Sequence, residues 1–128
     1  MSASAGPRRG DNRIVRVESV NRAEPFATKD GSTIRELHHT ELQSLAEATL
    51  EPSQATARHY HRTTEEIYFV LKGSGDLEVD GERRRLRPGD AALIPPGAWH
   101  TFENDGNSEL RFLCCCAPPY SHDDTFFE

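Results

Sequence analysis

Two stretches, HYHRTTEEIYFVLKG (59–73) and, after a short polar interval, GDAALIPPGAWHTFEN (89–104), decide how this chain is read. On an extended strand, side chains two residues apart share a face, so His59 and His61 present two imidazoles to one side. Glu66 follows far enough on for a turn built on Arg62, Thr63 and Thr64 to bring the next strand back alongside. His100 supplies a third imidazole from a later strand. Three imidazoles and a carboxylate form a mixed nitrogen and oxygen donor set that suits iron, zinc, nickel, copper or manganese and leaves one or two positions open.

The spacing of these residues resembles the cupin superfamily. His59, His61, Glu66 and Gly73 are similar to its first motif, and Gly89, Pro95, Gly97, His100 and Asn104 to its second. One position departs: where the first motif often opens with Gly, this chain has Ser53 after Pro52, a pair that itself suits a turn. The resemblance implies an all-β double-stranded β-helix, or jelly-roll barrel. It also implies one divalent transition metal per chain on His59, His61, Glu66 and His100. Fe2+ comes first, with Zn2+, Ni2+, Mn2+ and Cu2+ as alternatives. Glu65 competes with Glu66 as the carboxylate; the family spacing to Gly73 selects Glu66, and alternation then sends Glu65 outward.

Working outward, 128 residues make one domain with a single core. A net charge of -6 and a pI near 5.5 argue against a nucleic-acid partner, which needs a clustered basic surface. The basic cluster Arg83–Arg84–Arg85 with Arg87 divides between two strand faces and reads as a solvated outer face; in the rival reading Arg84 points into the barrel toward an anionic substrate. Apolar runs are too short for a membrane span, and MSASAGPRRGDNR has no apolar stretch to act as a secretory signal. The expectation is a cytoplasmic protein with no membrane partner. Cys114, Cys115 and Cys116 are consecutive, which makes a disulfide among them geometrically poor and suits a reduced compartment.

In chain order, residues 1–13 have almost nothing to bury and read as disordered. The resemblance to a cupin domain extends over 14–117, opening with IVRVESV (14–20) as an edge or dimer-contact strand, followed by a loop with a turn at Asp30-Gly31. STIRELHH is a strand with Arg35, Leu37 and His39 on one face and Ile34, Glu36 and His38 on the other, the inner face being open. SLAEATLE (44–51) is a strand with Ala46, Ala48 and Leu50 inward, against a competing helical period over 40–50. With Glu66 inward, Tyr68 and Val70 are inward too; Leu77 and Val79 are buried, Asp80-Gly81 is a hairpin turn, and AALI is a short buried strand before a type II turn at Pro96-Gly97. His100 and Phe102 share one face of the next strand, with Trp99 on the other, and ELRFLCCCA is the last strand. Short strands at roughly ten-residue spacing with Gly and Pro turns describe a β-sandwich or barrel.

Further site candidates follow from these faces. Tyr68 shares the cavity with Glu66 and is a candidate acid or base, or a substrate contact; its bland reading is a core filler. Phe102 is a candidate pocket wall, and Arg35 a candidate substrate contact if its face is the inner one. The cysteines read as small hydrophobes packed in a strand. The segment 118–128 carries Tyr120 and Phe126, which read as docking on the barrel mouth or on a second subunit. The expected function is a metal-dependent enzyme acting on a small molecule, a non-haem Fe(II) dioxygenase ahead of an isomerase, lyase or cyclase, with a non-catalytic ligand-binding module as the rival class. The resemblance also implies a homodimer.

Overall fold

A computed structural model describes residues 14–128. The segment 1–13, read as disordered, lies outside the described residues. Eleven strands, all in antiparallel pairings, make up the described chain, with one turn of 3-10 helix at His122–Asp124 and no α-helix. They are β1 (Phe26–Ala27), β2 (Thr33–His39), β3 (Ser44–Leu50), β4 (His59–His61), β5 (Glu65–Lys72), β6 (Gly75–Val79), β7 (Glu82–Leu86), β8 (Ala91–Ile94), β9 (His100–Glu103), β10 (Leu110–Ala117) and β11 (Thr125–Phe127). One sheet has the order β1-β2-β3-β10-β5-β8 and the other β11-β4-β9-β6-β7. This is the jelly-roll double-stranded β-helix; the two ladders do not close into a ring.

The strand faces follow side-chain alternation. In β5, Glu66, Tyr68 and Val70 are buried while Glu65, Ile67 and Leu71 face outward. The core lies between the sheets, where Leu50, Val70, Leu77, Ile94 and Leu110 pack around Tyr68, Phe102 and Phe112. Ring centroids of Tyr68 and Phe102 lie 4.8 and 4.9 Å from that of Phe112. Truncating Phe102 or Phe112 to Ala would remove about 3–5 kcal/mol of packing.

Turn chemistry sets the register. Asp80 (φ 48°) and Gly81 (φ 89°) form the left-handed pair of a two-residue hairpin between β6 and β7. The Ala98 N–H donates to Pro95 O at 3.2 Å with Gly97 at φ 83°, the type II turn expected at Pro96-Gly97. From that turn the Gly97 N–H donates to His61 O at 2.7 Å, which fixes the start of β9 against β4. Buried Asn104 donates to Leu50 O and Ser108 O, both at 2.9 Å, and accepts from the Gly106 N–H, closing the loop after β9.

Several elements differ from the sequence reading. Residues 14–20 form no strand: Ile14, Val15 and Val17 are exposed and no strand among the described residues pairs with them. β8 is a sheet edge and not a buried strand, with only Ile94 buried and Leu93 exposed. A further strand, β11, follows ELRFLCCCA and pairs with β4. Arg84 faces solvent beside Glu82, so its inward reading falls.

Candidate metal centre

The topology gathers residues that lie far apart along the chain. His59 and His61 both point inward from β4, and the β4–β9 register sets His59 opposite His100. Glu66 enters from β5 in the facing sheet. All four are buried.

The ring orientations are dictated by what each Nδ1 meets. His59 Nδ1 lies 2.6 Å from Ala57 O and His100 Nδ1 lies 3.0 Å from Ala98 O; a carbonyl only accepts, so both nitrogens donate. His61 Nδ1 lies 3.1 Å from Thr125 Oγ1, whose own proton goes to Ser121 O at 2.8 Å, so the hydroxyl accepts from the imidazole. Each of the three rings therefore keeps its Nε2 lone pair for the interior. One ligand atom from each lies within 4.8 Å of the others.

Glu66 completes the set. Its Oε1 stands 3.4 Å from both His61 Nε2 and His100 Nε2. Neither Oε1 nor His100 Nε2 has a hydrogen-bond partner, although both are buried. Lone pairs facing one another in a dry site are costly unless a cation or proton lies among them. The donor set thus fits a divalent transition metal, which the three imidazoles would hold with the carboxylate of Glu66 beside them. Burial alone would raise the Glu66 carboxyl, but His100 and His61 beside it outweigh that and hold it at about 2. Burial, and then the neighbouring His100, push His59 below its ordinary value, which keeps its imidazole neutral.

His59, His61 and Glu66 line a pocket of about 630 Å³ including its open mouth. Phe26, Ile34, Ala46, Ala48, Tyr68 and Phe112 make its apolar side, and Thr28, Asp30, Ser32, Glu36, Ser44 and Tyr120 its polar side. Cys114 and Cys116 also face in, opposite Tyr68 and Glu66 across the β10–β5 ladder. Burial, followed by the charge of Glu66, raises Tyr68 well above its ordinary value, so the phenol stays protonated. The same two causes raise Cys114.

Of the residues singled out in the sequence, His59, His61, Glu66, His100 and Tyr68 come together here. Phe102 does not: it lies in the core behind Tyr68, with ring centroids 5.6 Å apart, and lines no part of the pocket. Arg35 does not either. Ile34 and Glu36 turn out to be the inner face of β2, and Arg35 projects to the opposite side, 3.9 Å from Glu47. His38, His39 and His122 stay outside.

Sequence reasoning missed Asp30 and Thr125, and took the thiols as packing in preference to a ligand or nucleophile role. Asp30-Gly31 signals only a turn, and Thr125 carries no pattern that would tie it to His61. The alternation that places Cys114 and Cys116 inward was legible once Phe112 was taken as core. The segment 118–128 wraps the site: Asp124 accepts from the Thr63 and Thr64 N–H groups, Phe126 stacks on Tyr60 at 5.1 Å, and Phe127 lies 5.6 Å from His59.

A family profile described as "Cupin domain" matches residues 46–116. An uncharacterized protein of Methanocaldococcus jannaschii is 45% identical over 118 residues, covering 88% of this chain and 94% of that protein. A 5-aminosalicylate 1,2-dioxygenase of Comamonas is 38% identical over 63 residues, 49% of this chain and 17% of that protein, so the chain spans less than a fifth of it. Among solved structures, KdgF from Halomonas superposes with a TM-score of 0.77 at 20% identity, covering 86% of this chain and 98% of that one.

Proposed function

The chain belongs to the cupin family, and from that premise we propose that it is a metal-dependent enzyme acting on a small molecule in the β-sandwich pocket. His59, His61, His100 and Glu66 hold the metal in this reading. The observation that carries it is the convergence of three Nε2 lone pairs on the unpartnered, buried Oε1 of Glu66. When bound, a divalent transition metal supplies a Lewis acid for an oxygen-bearing substrate, and iron(II) adds the capacity to activate dioxygen.

The protein's own side chains do the rest. Ala57 O, Ala98 O and Thr125 Oγ1 hold the three rings in one tautomer. Phe26, Ile34 and Phe112 give the substrate face an apolar wall. Tyr68 keeps its proton and serves as a hydrogen-bond donor to substrate. A dioxygenase is the leading reading, supported by the mixed nitrogen and oxygen donors and by the resemblance of 63 residues to the Comamonas dioxygenase. A zinc-, nickel- or manganese-dependent isomerase or lyase is the alternative on the same ligands.

Metal analysis of protein purified without chelators, followed by oxygen-uptake screening of the iron-loaded form, tests this. Iron with substrate-dependent uptake supports the dioxygenase. Zinc or nickel without uptake supports the alternative, and a preparation that binds no transition metal removes both.

The reading extends to assembly. Ile67 pairs with Leu93 across β5 and β8, and with Leu71 they leave an exposed apolar strip on the outer sheet face, which supports a homodimer formed through that face. Sedimentation should give twice the chain mass, and Leu93→Glu should halve it. No helix among the described residues is long and apolar enough to cross a membrane. Three free cysteines support a reducing, cytoplasmic setting.

A further inference from the structure

The charge of the pocket wall says what its occupant is. Besides Glu66, the lining carries two carboxylates, Asp30 and Glu36, and no lysine or arginine. Glu36 is exposed and its Oε2 is 3.2 Å from His39 Nδ1, so it is already engaged outside. Asp30 is different. Its Oδ1 accepts from Thr28 Oγ1 at 2.5 Å, from the Ser32 N–H at 2.9 Å and from Ser32 Oγ at 2.7 Å. Its Oδ2 has no partner among the described residues.

This carboxylate is built in relation to the metal ligands. The Ala57 N–H donates to Asp30 O at 2.7 Å, and Ala57 O is the acceptor that orients His59. Three hydrogen bonds to one oxygen hold the Asp30 carboxylate in a fixed orientation on the wall that His59 shares. A dication with neutral imidazoles and Glu66 leaves about one positive charge at the ligand end, and Asp30 sets one negative charge elsewhere on the same pocket wall. A ligand with oxygen donors at one end and a hydrogen-bond donor at the other matches both. A ligand with a second anionic group meets Asp30 with nothing on the wall to neutralise it.

We infer that the pocket selects a small molecule whose metal-facing end offers oxygen donors and whose far end carries a hydroxyl or ammonium group, with Asp30 Oδ2 as the specificity-determining acceptor. Dianions of similar size are rejected. This rests on the metal-dependent reading above and deepens it.

Three probes with one chelating end separate the two. Isoserine, glycerate and malate share a 2-hydroxy carboxylate and end in an ammonium, a hydroxyl and a carboxylate. Titrated into cobalt(II)-loaded protein and followed by the cobalt visible spectrum, isoserine and glycerate should each bind about tenfold or more tighter than malate, as one unscreened charge contact predicts. Asp30→Asn should bring malate to within about threefold of glycerate, a loss of most of that contact, at unchanged cobalt content. If that variant does not fold, the wild-type series decides alone. With cobalt bound, equal affinities, tighter malate binding or silence toward all three overturns the charge selection. Failure to take up cobalt, or equal uptake by His100→Ala, instead removes the metal reading on which it rests.

Discussion

The hydroxyl of Thr125 accepts the Nδ1 proton of His61 across 3.1 Å, although β11 lies beyond every other strand in the chain. Because Thr125 passes its own proton to Ser121 O, its role toward the imidazole is fixed. Removing such a partner typically lowers metal affinity about 10–100-fold. Thr125→Val should do so, Thr125→Ser should not, and competition against a chelator at constant pH reads the difference.

Cys116 Sγ lies 3.4 Å from Glu66 Oε2, both buried. The thiol is the donor to the carboxylate oxygen turned away from the imidazoles, and burial, then the charge of Glu66, raise the thiol so that it keeps its proton. Cys116→Val leaves Oε2 without a donor, so Glu66 should rotate and the metal should dissociate several-fold faster. Cys116→Ser restores a donor and should bind the metal as the wild type does. Equal off-rates for all three proteins would show that the thiol does not position Glu66.

Metal retention should extend to unusually low pH at His59. An imidazole must be neutral to ligate, and His59 is held below its ordinary 6.5 by burial and by His100. In the unfolded chain the same group takes up its proton near 6.5. The sign follows: the contribution of neutral His59 to folding is full above about 6.5 and is lost as pH falls toward the lower folded value. Metal content against pH should therefore fall with a midpoint below that of a model peptide with an exposed His-x-His pair. A midpoint at or above the peptide's would contradict the burial effect.

Ser53 stands at φ 70°, in the left-handed region where the related motif carries Gly. That conformation costs a non-glycine residue about 1–2 kcal/mol. Glycine relieves it but loses about 0.5–1 kcal/mol through its freer unfolded chain. Ser53→Gly should then stabilise the fold by up to about 1.5 kcal/mol, the difference of those terms, visible as a higher midpoint in urea with unchanged slope. A loss of stability would mean that the serine makes a compensating contact.

Gly75 makes the opposite case. A Cβ there would lie 2.5 Å from Glu103 O, 2.8 Å from Leu110 and 2.9 Å from Phe102. Gly75→Ala should destabilise by about 1–3 kcal/mol, as overpacking in a tight core does. An unchanged melting temperature would rule out that close approach.

What could be read beforehand was whatever alternation or turn chemistry expresses locally. Glu66, Tyr68 and Val70 share a face because they are two apart, and Asp80-Gly81 needs no distant information to form a hairpin. Arg35 was ambiguous because both faces of β2 mix charged and apolar residues, and the face that meets the pocket is set by the pairing of β2 with β3. Ile14–Val20 has a strand-like composition but no partner, and strands exist only in pairs. AALI is apolar enough to be buried, yet an edge position leaves Leu93 58% exposed. Thr125 and Asp30 act through contacts that close over long loops, which no window of sequence contains.

Strand β4 lies between two neighbours that are both translated after it, β9 on one flank and β11 on the other. A nascent chain on the ribosome thus displays His59 and His61 well before their partners have emerged. Any ion caught at that stage would be held by two side chains only. On the metal-dependent reading, loading then waits for β9, which sets His100 opposite His59.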